Sequence, residues 1–289
     1  MEIKAADVKA LRDKTGAGMM ECKKALAETN GDAAAAEKLL KEKGLAAVGK
    51  RADRETGEGR IFIKIEGNKA AICELTCETD FVAKNEDFIK IGNDMVSTII
   101  AKGYTEINQE LSDMLLDLAT KIRENMTVCR LELVEIPANA SASGYVHSDG
   151  KTGVITVISA DPADAAKNAD VVEFAHDCCL HIAAFSPAYI KREDVDAAYI
   201  EEQREIFTKQ VESLDKPDNV KKGIVEGKVN KHLAEICFMD QPFVKDDKVS
   251  VTKKMEEIGK NVGAKLAITK VRKIKTKARH RGLFHVINI

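Results

Sequence analysis

The sequence predicts an α+β chain. It has a three-helix module at its N-terminus, a core of two related α+β subdomains with small antiparallel sheets, and an antiparallel helical hairpin inserted in the second. Three observations carry this. Three short amphipathic runs, punctuated by glycine-containing stops, fill the first 48 residues. A pattern of strand, turn and strand, then a polar junction and a helix, occurs at "RIFIKIEGNKAAICELTC" and again at "GYVHSDGKTGVITVISADP". Two apolar stripes separated by the short polar run "DKPDN" lie between residues 193 and 236.

In the N-terminal module, Val8 and Leu11 share a helical face, and Thr15-Gly16-Ala17-Gly18 ends that helix. Met19, Cys22 and Leu26 form the stripe of a second helix, closed by Asn30-Gly31. Asp32 is a good N-cap for a third, which carries Ala36, Leu39 and Leu40 and is expected to stop at Gly44. A bundle of residues 1–48 is close to the lower size limit for independent folding. Residues 49–58, "GKRADRETGE", are polar and without period, and read as a linker.

A core N-subdomain is expected over residues 59–140. Ile61, Ile63 and Ile65 alternate with Phe62, Lys64 and Glu66, Gly67-Asn68 supplies a hairpin turn, and Cys73, Leu75 and Cys77 share a face of the second strand. Asn85 can cap a helix with Glu86 and Asp87 in its first turn. A further helix carries Leu111, Met114, Leu115, Leu118 and Ile122, and "TVCRLELVEI" returns to strand. The core C-subdomain is expected over 141–289, with Asp149-Gly150 near its hairpin turn. A helical hairpin is inserted at about 187–236, where Tyr199, Ile206 and Leu214 mark one stripe and Ile224, Val229, Leu233 and Ile236 the other. A short helix from Ser250 stops at Gly263, "AKLAITKV" supplies a last strand, and a basic tail runs over about 272–289.

Composition narrows the chemistry. Net charge is −2, so no global basic field points to nucleic acid. The seven cysteines are odd in number and include no CxxC, which fits a reducing, cytoplasmic setting better than a disulfide framework. No run of about 18 apolar residues suggests a membrane span. His176, Cys178, Cys179 and His181 lie close together in sequence. Positions five apart on a helix nonetheless diverge by about 140°, so ordinary core packing is favoured over a metal. There is no GxxxxGK[ST], GxGxxG or GxSxG, and no pair of carboxylates placed for acid–base work. The chain reads as a protein that binds rather than an enzyme, with no cofactor. The basic run from Lys265 to Arg281 allows an alternative, an RNA- or ribosome-binding protein.

One junction fits neither neighbouring pattern. In "CETDFVAKNEDF", Asp80-Phe81 extends neither the preceding strand nor the following helix. The segment "TDFVAKN" resembles the signature of the bacterial elongation factor Ts family, guanine-nucleotide exchange proteins for the GTPase elongation factor Tu. "LRDKTGAGMMECKKAL", "GYVHSDGKTGV", "HIAAFSPAYIKREDV" and "VEGKVNKHLAEICFMDQPFV" resemble family segments in the same order. The resemblance implies that the N-terminal module is similar to ubiquitin-associated domains. It implies that Asp80 and Phe81, with Thr79 before them and Val82 and Ala83 completing the turn, enter the partner beside its magnesium and phosphates. It implies further partner contacts at Met19, Met20 and Lys23 on the second helix and at His147 near the second hairpin turn. The end of the chain departs from the family pattern: "KVRKIKTKARHRGLFHVINI" is basic where the family carries an acidic, helix-forming module.

Overall fold

The computed structural model describes residues 3–276. They fall into two compact units. One comprises the chain up to Phe62 with Cys73–Leu133, the other Ile63–Ile72 with Val134–Lys275.

The first unit opens with α1 (Ala5–Thr15), α2 (Met19–Glu28) and α3 (Ala33–Gly49). Val8, Leu11, Cys22, Ala25, Leu26 and Ala36 bury one another in a core of their own. Gly16 takes φ 68°, a left-handed conformation that suits glycine and ends α1. The Asp32 carboxylate accepts from the amides of Ala34 and Ala35 and starts α3. Two expectations fail here. Met19 is 43 % exposed; as the first residue of α2 it lies at the edge of the bundle, and the buried stripe begins at Cys22. Gly44 does not end α3, which runs on to Gly49. A Cβ at Gly44 would stand 2.5 Å from Thr120 Cγ2 on α6 (Gln109–Ile122), so this glycine serves close helix approach, not termination.

The polar stretch after α3 is tied down rather than loose. Arg51 is buried and its Nε donates to Ala47 O, while the Asn125 amide donates to the carbonyls of Ala52 and Arg54 at 3.1 and 2.8 Å. The three-stranded sheet that follows has the order β1 (Glu58–Glu66), β2 (Lys69–Cys77), β3 (Met126–Glu135). β2 is central and buried continuously from Ala70 to Cys77: Cys73, Leu75 and Cys77 line one buried face, and the opposite face is covered as well. Within it, the buried Glu74 pairs with Arg130 Nε at 2.6 Å. α4 (Asp80–Ala83) is one turn long. α5 (Glu86–Lys102) starts at the Asn85 cap, and a Cβ at its Gly92 would stand 2.2 Å from the Phe62 ring.

The second unit repeats the scheme. Its antiparallel sheet has the order β4 (Ala140–Val146), β5 (Thr152–Asp161), β8 (Lys265–Lys275), so again the second strand of a hairpin is central and the third arrives after helices. α7 (Ala169–Phe185) buries Phe174, Ala175, Cys178, Cys179 and Ile182 in the core of this unit. The fold is thus α+β with small antiparallel sheets. Two short strands that the sequence does not announce, β6 (Pro242–Phe243) and β7 (Asp246–Ser250), pair with each other. Ser250 caps α10 (Val251–Val262), and Gly263 at φ 67° ends it. Residues expected to begin the basic tail instead complete β8; the rest of that run, from 277 to 289, lies outside the described residues.

α8 (Ala197–Val211) and α9 (Asp218–Ile236) form the helical hairpin, with a separate core of Val195, Val211, Val225, Val229, Leu233 and Cys237. The stripe expected on α8 is misplaced. Ile206 and Leu214 are exposed, and Phe207 and Val211 face inward, because Leu214 lies past the end of the helix and Ile206 on the side away from α9. The amides of Ala188 and Tyr189 both donate to Ile236 O, so the hairpin leaves and rejoins the chain at one point. Replacing residues 192–235 with a short glycine linker is therefore expected to leave a cooperative melting transition for the remainder. Loss of that transition in calorimetry would make the hairpin part of the main core.

Lys273 on β8 is buried, its Nζ donating to Ile182 O at 2.9 Å and Ser186 Oγ at 2.5 Å at the end of α7. Desolvation, with a smaller effect from Lys275, brings its pKa down to about 8. A folded value below the unfolded one means that the unfolded chain binds more protons between about pH 8 and 10.5. The penalty of the buried ammonium is fully present below pH 8 and is relieved as pH rises through that window. Lys273→Met should abolish a gain on the order of 3 kcal/mol between pH 7.5 and 10.5. Chemical denaturation of both proteins at the two pH values checks this.

Candidate functional site

The turn after β2 is built from its anchors outward. The Thr79 hydroxyl receives the Val82 amide at 3.4 Å, capping α4, and donates to Glu124 Oε1 at 2.7 Å. Glu124 Oε2 accepts the amides of Glu78 and Thr79, both at 3.1 Å. The Cys77 thiol points at Thr79 O, 3.2 Å away; burial first, then the charges of Glu124 and Glu58, pushes it up to about 12, so it is no nucleophile at neutral pH. An isolated four-residue helix is unstable in water, so α4 exists because these bonds and its buried residues hold it.

Val82 and Ala83 are those buried residues, seated beneath the turn. Phe81 faces the other way and is 82 % exposed. Asp80 is partly exposed and pairs with Lys84 at 2.7 Å, a surface ion pair worth at most about 1 kcal/mol. The four residues therefore divide. Asp80 and Phe81 are presented to solvent, and Val82 and Ala83 form the seat. Phe81 is not a plug beneath α5; Phe88 fills that role, fully buried, with its ring centroid 6.3 Å from that of Phe62.

The other predicted residues are accessible as well. Met20 is 66 % exposed, Met19 less so, and Lys23 is exposed, all on α2. The N-terminal end of α2 is fixed by Glu21, whose Oε2 accepts from the Gly18 amide and from Arg123 Nη2 at 2.6 Å. In the second unit His147 is exposed in the β4–β5 turn, its Nδ1 3.0 Å from the Tyr145 hydroxyl and its amide bonded to Thr152 O.

Of the histidine and cysteine cluster of α7, Cys178, Cys179 and His181 are interior and His176 is exposed. His181 is fully buried, with Nε2 2.8 Å from Gln241 Oε1, and burial lowers its pKa against the opposing effect of that bond. Burial raises the Cys178 thiol well above its ordinary range and the Cys179 thiol to about 11. Among the described residues no group of three or more His, Cys, Asp or Glu side chains is placed to hold a metal ion. No helix among them is long and apolar enough to cross a membrane. Sequence reasoning missed Arg123, Glu124 and Asn125. Arg123 is a left-handed helix end at φ 65° with no glycine to mark it, and Glu124 meets residues 45 and 46 positions away.

A family model described as "Elongation factor TS" matches residues 78–277. The chain is 62 % identical to Elongation factor Ts of Treponema denticola, covering 94 % of this chain and 97 % of that one. It is 54 % identical to the protein of the same name from Treponema pallidum, over 93 % and 97 %. With Elongation factor Ts of Borreliella burgdorferi it shares 40 % identity over 91 % and 95 %.

Proposed function

The chain belongs to the elongation factor Ts family of translation elongation factors, and from that premise we propose that it binds elongation factor Tu carrying GDP and speeds release of the nucleotide, so that GTP can replace it. The observation that carries this reading is Phe81, a large apolar side chain left almost wholly in water at the tip of a capped turn, within the segment that matches the family.

The partner holds GDP through Mg²⁺ and phosphate-loop amides that neutralise its charge. Phe81 inserts between partner elements and moves those that support the magnesium, while Asp80 alters the hydrogen bonding around them. Interface energy from Met19, Met20 and Lys23 on α2, and from His147 in the second unit, offsets the cost of the distortion. Exchange is a coupling of two ligands on one GTPase: the factor weakens GDP, and GDP weakens the factor by the same amount. The reading needs no covalent step, no cofactor and no enzyme chemistry in this chain, and it places the protein in the cytoplasm. The N-terminal helices, α1 to α3, serve as a ubiquitin-associated-like docking module that adds affinity.

The test is release of fluorescent GDP from elongation factor Tu with increasing amounts of the full chain. The expected result is a saturable acceleration that fades as Mg²⁺ is removed, because the step being catalysed has then already occurred. Release unchanged at saturating protein would overturn the reading. A salt-dependent affinity for RNA in its place would favour the alternative based on the basic C-terminal run.

A further inference from the structure

Three consecutive residues, Arg123, Glu124 and Asn125, join the end of α6 to β3 and reach three different parts of the first unit. Arg123 Nη2 bonds Glu21 Oε2 at the start of α2. Glu124 accepts the amides of Glu78 and Thr79 and the Thr79 hydroxyl at the base of α4. Asn125 donates its side-chain amide to the carbonyls of Ala52 and Arg54 and its backbone amide to Glu78 Oε1 at 2.6 Å. A carboxylate accepting three bonds in a partly buried site is a stiff support, since hydrogen bonds to a charged acceptor are stronger than those between neutral groups.

We propose that Arg123-Glu124-Asn125 is a clasp, in which Glu124 is a positioning residue that fixes the angle at which Phe81 is presented, and Arg123 separately fixes the α2 docking surface. This rests on the exchange reading above. Two adjacent residues then have different kinetic signatures. Glu124 acts on the step in which the nucleotide site is distorted, because a turn that wavers loses contacts made only in the distorted complex. Arg123 acts on docking, because α2 contributes affinity.

The experiment measures fluorescent GDP release from elongation factor Tu across a range of concentrations of each full-length protein, with melting curves alongside. The unmodified chain comes first; if it fails to accelerate release, the exchange reading itself falls and the variants are not the cause. If it accelerates release, Glu124→Ala is expected to lower the maximal rate at least tenfold while shifting the half-saturating concentration less than threefold. Glu124→Gln, which keeps the shape and a carbonyl acceptor for the two amides, should recover most of that loss. Arg123→Asn, chosen because asparagine tolerates the left-handed conformation, should raise the half-saturating concentration and leave the maximal rate in place. Should Glu124→Ala fail to fold, Thr79→Val decides, since it removes only the hydroxyl bond to Glu124 and the cap. A folded Glu124→Ala or Thr79→Val with the maximal rate of the unmodified chain would overturn the proposal. So would a Glu124→Ala defect confined to the half-saturating concentration.

Discussion

Phe81→Ala is expected to abolish most nucleotide release while leaving the free protein as stable as before. The side chain is 82 % exposed, so truncation removes few contacts in the free chain, and the stability change should stay within about 0.5 kcal/mol. In the complex the same ring is asked to occupy space that the partner would otherwise close. Losing it should lower the maximal release rate more than about tenfold, the equivalent of roughly 1.4 kcal/mol of transition-state stabilisation. Melting curves and GDP release measured on one preparation separate the two effects. A variant that melts normally and exchanges normally would remove Phe81 from the mechanism.

Phe88→Ala, seven positions on, should behave in the opposite way. Phe88 is fully buried on α5 and packs near Phe62. Removing a buried phenyl ring costs about 3–5 kcal/mol in lost transfer energy and residual cavity. For a chain of this size the melting midpoint should fall by on the order of 10 °C. Below the new midpoint, the folded fraction should still release GDP at close to the normal maximal rate, because Thr79, Glu124 and the α4 seat remain in place. A normal melting curve for Phe88→Ala would contradict its placement in the core.

That contrast marks what could be read without coordinates. Caps are local signals, and Asp32, Asn85, Ser250 and Gly263 all do what their residue types suggest. Hairpin turns at Gly67-Asn68 and Asp149-Gly150 are legible for the same reason. Gly44 was not, because its meaning depends on Thr120, far along the chain, and a glycine that permits close packing looks like one that ends a helix. β6 and β7 are too short to show a period. On α8, Ile206 and Phe207 are adjacent apolar residues on different sides, and only the position of α9 decides which is inside. The candidate site divides along the same line. The motif marks residues 79–83, but whether Phe81 lies in the core or in solvent depends on what fills the space beneath α5. Glu124, which holds the turn, announces nothing in its own neighbourhood.

The arrangement of the two sheets carries a consequence for how the chain tolerates added length. In the first, β2 and β3 are joined by a bond between Thr76 and Thr127, 51 residues apart; in the second, β5 and β8 by one between Ser159 and Ala267, 108 apart. The entropy of closing a loop grows only with the logarithm of its length, so the doubled separation costs the second sheet about 0.6 kcal/mol more than the first. The helical hairpin and the β6–β7 pair occupy that longer excursion almost without thermodynamic cost. The penalty is one of time: a strand pairing that waits for a hundred intervening residues forms late, and the first sheet should assemble before the second.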